Sequence, residues 1–224
     1  MSIALPRVWT HRLQSVEAAR PGVARRSPGE LASKVLIVAL FSTMAMSIAS
    51  HVARTGRVTG LLMLASEALV VALTIVRRPA GTVDRTLKAR LLTVFATFGP
   101  PLVRPWQTAV APESVTVAMA SVGLFIVVAG KFSLGRSFGL APANRGVVST
   151  GLYALVRHPI YLGYLITHTG FVLANLTAWN LAILATADTA LMVRARLEER
   201  TLAEDAQYRQ YMTRVRWRLI PGVV

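Results

Sequence analysis

Six apolar stretches run through this 224-residue chain, and they constrain its fold more than any other feature. A membrane-spanning helix needs about 20 predominantly apolar residues. Residues 35–52, 58–76 and 115–131 meet that requirement. Residues 160–176 and 181–193 form a closely spaced pair joined by Thr177-Ala-Trp-Asn180. The stretch 91–103 is short and interrupted by Gly99-Pro100-Pro101. Interrupted helices at membrane depth are tolerated where protein covers them. The expected fold is therefore an all-α, polytopic integral membrane bundle of six spans, with five as the alternative. Mean hydropathy of +0.51 and 54% hydrophobic residues place the chain in the membrane class. No repeat or linker divides it, so a single membrane domain is expected over 1–224, with residues 1–34 as a basic cytosolic segment.

Charge placement gives an orientation. The net charge of +15 suggests a nucleic-acid binder at first sight. The basic residues nevertheless fall between apolar runs and form no single stripe, which fits the positive-inside pattern and no nucleic acid. With six spans one face receives the five N-terminal arginines with Lys34, then Arg77, Arg78, Arg85, Lys88 and Arg90. It also receives Lys131, Arg136, Arg145 and Arg157, and the seven arginines from Arg194 to Arg218. The opposite face receives Arg54, Arg57 and Arg104. Both termini are expected in the cytoplasm, with segments 131–158 and 194–224 on one side. Residues 1–30 carry Pro6, Pro21 and Pro28 among the arginines, so no signal peptide is expected. Trp9, Leu13 and Val16 form a short apolar stripe suited to a membrane surface, a disordered basic arm being the alternative. The absence of cysteine excludes disulfides, thiolate metal sites and cysteine nucleophiles. Lys34, Lys88 and Lys131 are the only lysines, and the arginine, alanine and valine bias points to a bacterial inner membrane.

Two polar segments at the edges of spans carry the chemistry. Arg157-His158-Pro159 ends a cytosolic loop, with Pro159 suited to the first position of the next helix. A helix start there offers N–H groups to an anion. An interfacial arginine with a capping histidine is the bland reading. Arg194 and Glu198 are four apart and share a helical face, whereas Glu199 turns partly aside; the bland reading is a solvated, salt-bridged helix. Tyr208, Tyr211 and Trp217 alternate with arginines as in a tail lying on the membrane. Glu67, His168 and Asp188 fall inside apparent spans, where ionisable residues either serve a site or pair with one another. Met44, Met46 and Met63 read as packing.

Together these residues resemble the isoprenylcysteine carboxyl methyltransferase family, part of a wider group that includes phospholipid N-methyltransferases. The matching pattern is Gly151-x-Tyr153, Arg157-His-Pro-x-Tyr161-x-Gly163 and Arg194-x-x-x-Glu198-Glu199-x-x-Leu202, followed by Tyr208-x-x-Tyr211 and Arg218-Leu-Ile-Pro221. It covers roughly residues 130–221. Many relatives carry a Phe-Gly where this chain has the shorter Ala203-Glu-Asp-Ala-Gln207.

The resemblance implies S-adenosylmethionine bound in a cytosol-facing pocket under a C-terminal helix, with no metal required. It implies that Val147, Val148, Gly151, Tyr153, His158, Tyr161 and Glu199 contact the cofactor. Arg157, Arg194 and Glu198 then lie nearest the transferring methyl. The implied partner is a membrane lipid or isoprenoid acceptor. Carboxyl O-methylation is the first reading, since Arg194 suits a carboxylate. Phospholipid N-methylation is the second, since Glu198 suits an amine that must lose a proton. An NAD(P)H-dependent membrane reductase of the sterol reductase type is a third, disfavoured because Glu198 and Glu199 repel a phosphate. A non-catalytic scaffold leaves the co-occurring motifs unexplained.

The charge split makes a topological prediction. In the cysteine-free background, Arg145→Cys labels with a membrane-impermeant thiol reagent from the cytoplasmic side alone; labelling from outside refutes the orientation.

Overall fold

The computed structural model describes residues 28–76, 82–83, 86–134, 143–144 and 147–223, with side chains at most of these positions. The N-terminal stripe at Trp9, Leu13 and Val16, and the charges Arg77, Arg78, Arg85, Arg136 and Arg145, lie outside the described residues. The chain divides into a unit Met1–Leu36, described only as helical from Pro28, and a unit Ile37–Val224 that carries everything below.

Helices cover all six apolar stretches. They are α1 (Pro28–Thr55), α2 (Thr59–Val76), α3 (Leu87–Phe98), α4 (Glu113–Leu134), α5 (Pro159–Ala174) and α6 (Ala178–Leu202). A short α7 (Ala206–Arg214) follows. Among the described residues, strand pairing is confined to a two-residue antiparallel bridge, Thr82–Val83 with Ala143–Asn144. The expected break at Gly99-Pro100-Pro101 is present: α3 stops at Phe98 and a 3-10 turn, Pro100–Leu102, replaces its last part. Helix α6 starts earlier than expected, because Thr177 caps it by accepting from the Asn180 N–H, and Ala178 to Asn180 are its first turn, not a loop. Among the described residues, Val35–Thr55 and Glu113–Leu134 are long and apolar enough to cross a membrane; Thr59–Leu69 and Pro159–Ala174 are shorter apolar helices.

Large apolar side chains stand exposed along these helices, among them Val38, Phe95, Phe125 and Phe132. That is the exterior of a protein whose surroundings are hydrocarbon. Met46 belongs with them at 65% exposure, which corrects its reading as a packing residue, whereas Met44 and Met63 are buried as expected.

Close packing of α4 on α5 forms the centre of the bundle. Glycine allows it. A methyl group on Gly163 would lie 2.7 Å from the Gly123 carbonyl oxygen and 2.7 Å from a Val127 methyl, both on α4. Two turns on, one on Gly170 would lie 3.2 Å from the Thr116 carbonyl oxygen. Helices without a hydrophobic drive to associate gain from such small-residue contacts, which let backbones approach.

The end of the bundle remote from α7 is laced by polar groups. Arg57 donates to Glu113 at 3.1 Å and to the Ala174 carbonyl at 2.6 Å. Asn180 exchanges bonds with the backbone of Arg104, whose guanidinium lies 5.0 Å from the Trp179 ring centroid. Two of the three basic residues assigned to that face are thus tied into its loops.

Replacing Gly163 by valine overpacks the α4–α5 contact and lowers stability by about 1–3 kcal/mol. Thermal unfolding in detergent measures it; an unchanged midpoint refutes the close approach as a requirement.

Candidate functional site

The Arg157-His158-Pro159 segment enters α5 as expected, with Pro159 in the first turn and His158 at the cap position. His158 does not cap through its side chain, however. Its imidazole Nε2 lies 3.1 Å from Glu199 Oε1 on α6. Both backbone N–H groups of the segment bind the C-terminal strap instead: Arg157 N–H donates to the Trp217 carbonyl at 2.9 Å and His158 N–H to the Arg218 carbonyl at 2.8 Å. The Arg157 guanidinium adds a bond to the Arg216 carbonyl at 2.9 Å and lies 3.3 Å from Glu199.

Glu199 is the hub of this arrangement. One oxygen faces His158 and Arg157, and the other accepts from Arg218 Nε at 2.8 Å. Burial alone would raise its pKa, but the bonds from His158 and Arg218 and the charge of Arg157 outweigh burial and hold it below the ordinary carboxylate range. Glu198, the next residue, points to the other side. Its Oε1 accepts from Arg194 Nε at 3.0 Å and Nη2 at 2.9 Å, while Oε2 accepts from Tyr161 Oη at 2.8 Å. The solvated-helix reading fails here, because Arg194 is only 5% exposed.

Aromatic rings complete the walls. His158 and Tyr161 stack with ring planes 5° apart and centroids at 5.3 Å, and the Arg194 guanidinium lies 5.7 Å from the Tyr161 ring centroid. Gly151, with φ +60, opens the 3-10 turn Gly151–Ala154 that brings Tyr153 inward. A side chain at Gly151 would be strained by that φ and would run into Ser133. Tyr208 and Tyr211 are buried at 5% and 2% exposure, and the Tyr211 hydroxyl donates to the Tyr153 carbonyl at 2.8 Å. This corrects the reading of the tail as lying on the membrane: α7 packs on protein, with Val147, Leu202 and Val215 around its tyrosines. Desolvation, reinforced by the Glu199 charge, raises the Tyr208 hydroxyl well above its ordinary pKa, so it remains a neutral donor.

Arg157, His158, Tyr161, Arg194, Glu198 and Glu199 therefore meet at one place, with Tyr153, Gly151, Val147 and Val148 beside them. Arg218 belongs to the same set and was not expected. Among seven tail arginines, no spacing distinguishes it. Its only sequence signal is the closing Arg-Leu-Ile-Pro. Arg157 Nε is buried without a partner among the described residues.

Glu67, His168 and Asp188 do pair with one another. His168 Nδ1 lies 2.6 Å from Asp188 Oδ1, and Nε2 lies 3.7 Å from Glu67 Oε1. Lys131, expected among the cytosolic charges, is instead 1% exposed and donates to the Ser66 carbonyl.

Residues 115–204 match the family model described as the isoprenylcysteine carboxyl methyltransferase family. The resemblance read from the motifs thus stands over that stretch, which holds every site residue above except Tyr208, Tyr211 and Arg218. That stretch is therefore similar in sequence to a membrane methyltransferase family. No curated protein matches the chain.

The depressed Glu199 pKa has a directional consequence. The clamp contributes stability above the ordinary carboxylate pKa of about 4.3, and that contribution is lost as pH falls through the lower folded value. Wild type should exceed Glu199→Gln in thermal midpoint near pH 7, and the gap should close on acidification below about pH 4. A constant gap across this range refutes the linkage.

Proposed function

We propose that the protein is an S-adenosylmethionine-dependent membrane methyltransferase that transfers a methyl group to the carboxylate of a lipid-embedded isoprenoid acid. The observation that carries the reading is the convergence of Arg194 and Glu198 with Arg157, His158 and Glu199 in one buried cluster, on a stretch that matches the isoprenylcysteine carboxyl methyltransferase family.

The residues present fit the cofactor. Arg157 Nε is a buried donor without a partner among the described residues, and the hydroxyls of Tyr153 and Tyr208 beside it make no hydrogen bond to another described residue. Buried polar groups of this kind call for a ligand or water. Tyr153, His158, Tyr161 and Glu199, with the backbone from Val147 to Gly151, are the residues we assign to holding it. Aromatic faces suit a sulfonium as they suit other soft cations. When bound, S-adenosylmethionine supplies a methyl group activated by its sulfonium charge, and its transfer to a carboxylate releases no proton.

The chain's own contribution is then alignment and exclusion of water. Arg194 is fixed by Glu198, which is itself fixed by Tyr161, so the guanidinium is presented in one orientation. Three guanidiniums, those of Arg157, Arg194 and Arg218, surround two carboxylates, Glu198 and Glu199. A pocket with that surplus favours an anionic acceptor over an ammonium, and this supports O-methylation above phospholipid N-methylation. The expected repulsion of a phosphate by a bare acidic pair does not hold, because both carboxylates are already ion-paired. The family match, which concerns methyl transfer, supports the methyltransferase over the reductase reading. We further assign six spans, cytoplasmic termini, a cytosolic α7 over the pocket and a bacterial inner membrane location, from the helix positions and the charge split. Residues 130–221 form the methyltransferase core in this reading.

Purified protein should bind S-adenosylhomocysteine in the micromolar range, on the order of −8 kcal/mol. Arg194→Ala and Glu198→Gln should each lower turnover by roughly tenfold or more with the fold intact. Mass spectrometry of a lipid extract incubated with labelled S-adenosylmethionine identifies the acceptor. Near wild-type turnover in both well-folded variants overturns the assignment, and binding of NADPH without either adenosyl compound replaces it with the reductase.

A further inference from the structure

Tyr164 sits one helical turn beyond Tyr161 on the same face of α5. It is 7% exposed and packs in one cluster with Tyr153, Tyr161, Leu191 and Ala195. Its hydroxyl makes no hydrogen bond to another described residue. The ring is held from below. Lys131 Nζ lies 5.1 Å from its centroid, and the His168 imidazole stacks on it at 5.9 Å with planes 20° apart. His168 in turn is fixed between Asp188 and Glu67, and Lys131 by the Ser66 carbonyl. Three helices, α2, α4 and α6, therefore contribute charged side chains whose visible effect is to fix one tyrosine on α5.

The Tyr164 hydroxyl is not sealed by protein and is open to a ligand or water, although the residue as a whole is 7% exposed. Its position matters for which ligand. Tyr161 bonds Glu198 at the level where α6 leaves the apolar stretch, and Tyr164 lies about 4.5 Å further along α5, toward the bundle interior. An acceptor held in the bilayer would meet Arg194 from the apolar side of the bundle, where Tyr164 lies. A neutral phenol donates well to a carboxylate and has nothing to offer an ammonium except its weaker acceptor.

We propose that Tyr164 is an acceptor-binding residue, its hydroxyl donating to the carboxylate of the lipid-embedded acid beside Arg194, and that Lys131 is a positioning residue acting through the Tyr164 ring. The inference rests on the methyltransferase reading and adds to it the acceptor side of the pocket. It also accounts for the intramembrane ionisable groups, since His168, paired with Asp188 and Glu67, and Lys131, held by the Ser66 carbonyl, both pack on the Tyr164 ring.

The test compares wild type, Tyr164→Phe, Lys131→Met and the double variant in detergent, with S-farnesylated N-acetylcysteine as the acceptor probe. S-adenosylhomocysteine binding is measured separately by calorimetry. Tyr164→Phe keeps the ring and should raise the KM for the acid probe roughly tenfold, the weight of one buried hydrogen bond to a charged group, while donor affinity stays unchanged. Lys131→Met should raise the same KM by less, and the double variant should be no worse than Tyr164→Phe alone, because one residue acts through the other. An unchanged KM in Tyr164→Phe, or an equal loss of donor binding, overturns the assignment while leaving the methyltransferase reading intact. Additive effects in the double variant overturn the role of Lys131; if Lys131→Met does not fold, Tyr164→Phe alone decides. Wild type that binds the donor but methylates phosphatidylethanolamine in place of the acid probe overturns the carboxylate assignment. Wild type that binds no donor refutes the methyltransferase reading itself, and this inference with it.

Discussion

The carboxylate of Glu199 joins parts of the chain that would otherwise be independent. It receives His158 and Arg157 from the start of α5 and Arg218 from the C-terminal strap, and it stands near the end of α6. Removing it would leave two guanidiniums and an imidazole facing one another in a partly desolvated space, where an uncompensated charge costs several kcal/mol. The strap's two backbone bonds to Arg157 and His158 belong to the same unit. They extend the fold past α7 and bring Arg216, Trp217 and Arg218 back onto the start of α5. Closure of the site therefore depends on charge pairing at its polar mouth, while the bundle beneath depends on glycine contacts between α4 and α5. These are different kinds of force acting at different depths, and the site lies where they meet.

Legibility follows that division. The apolar stretches announced all six helices, because hydrophobic length is a strong local signal, and the Gly-Pro-Pro break fell where the sequence placed it. Arg194 and Glu198 were readable as partners because helical spacing alone puts them together. Side-chain destinations were less legible where two local roles compete. His158 looked like a cap, and its ring is a hydrogen-bond partner of Glu199. Tyr208 and Tyr211 looked like membrane-surface aromatics and are core, since alternation with arginine does not say which face meets protein. Lys131 read as a cytosolic charge at a helix end, because a lysine beside an apolar run usually extends its ammonium to water. Here it turns inward, toward Ser66 and Tyr164. Arg218 and Tyr164 carried almost no signal of their own: one is an arginine among arginines, the other an aromatic in an apolar helix.

The intramembrane charges illustrate why the pairing matters more than the residues. Isolated, any of Glu67, Lys131, His168 or Asp188 would be expensive in an apolar bundle. Together they present two potential cations and two anions, so burial is compensated within the set. Such a lattice contributes little net stability compared with an apolar core of equal volume. Geometry is what it gives in exchange, since Asp188 and Glu67 restrict His168 and the Ser66 carbonyl restricts Lys131.

The same exchange operates at the mouth of the pocket, with a different outcome. Glu198 and Glu199 are adjacent in sequence but belong to separate networks, one facing Arg194 and Tyr161 and the other facing the strap. A helix turns about 100° per residue, so neighbouring acidic side chains cannot serve the same partner. The first network can rearrange without disturbing the second, which holds the C-terminal strap. Loss of Glu199 therefore acts first on the docking of the strap and loss of Glu198 first on the orientation of Arg194. The two substitutions are chemically identical and one residue apart, yet they should leave different kinetic signatures, because the backbone sends their side chains to different networks.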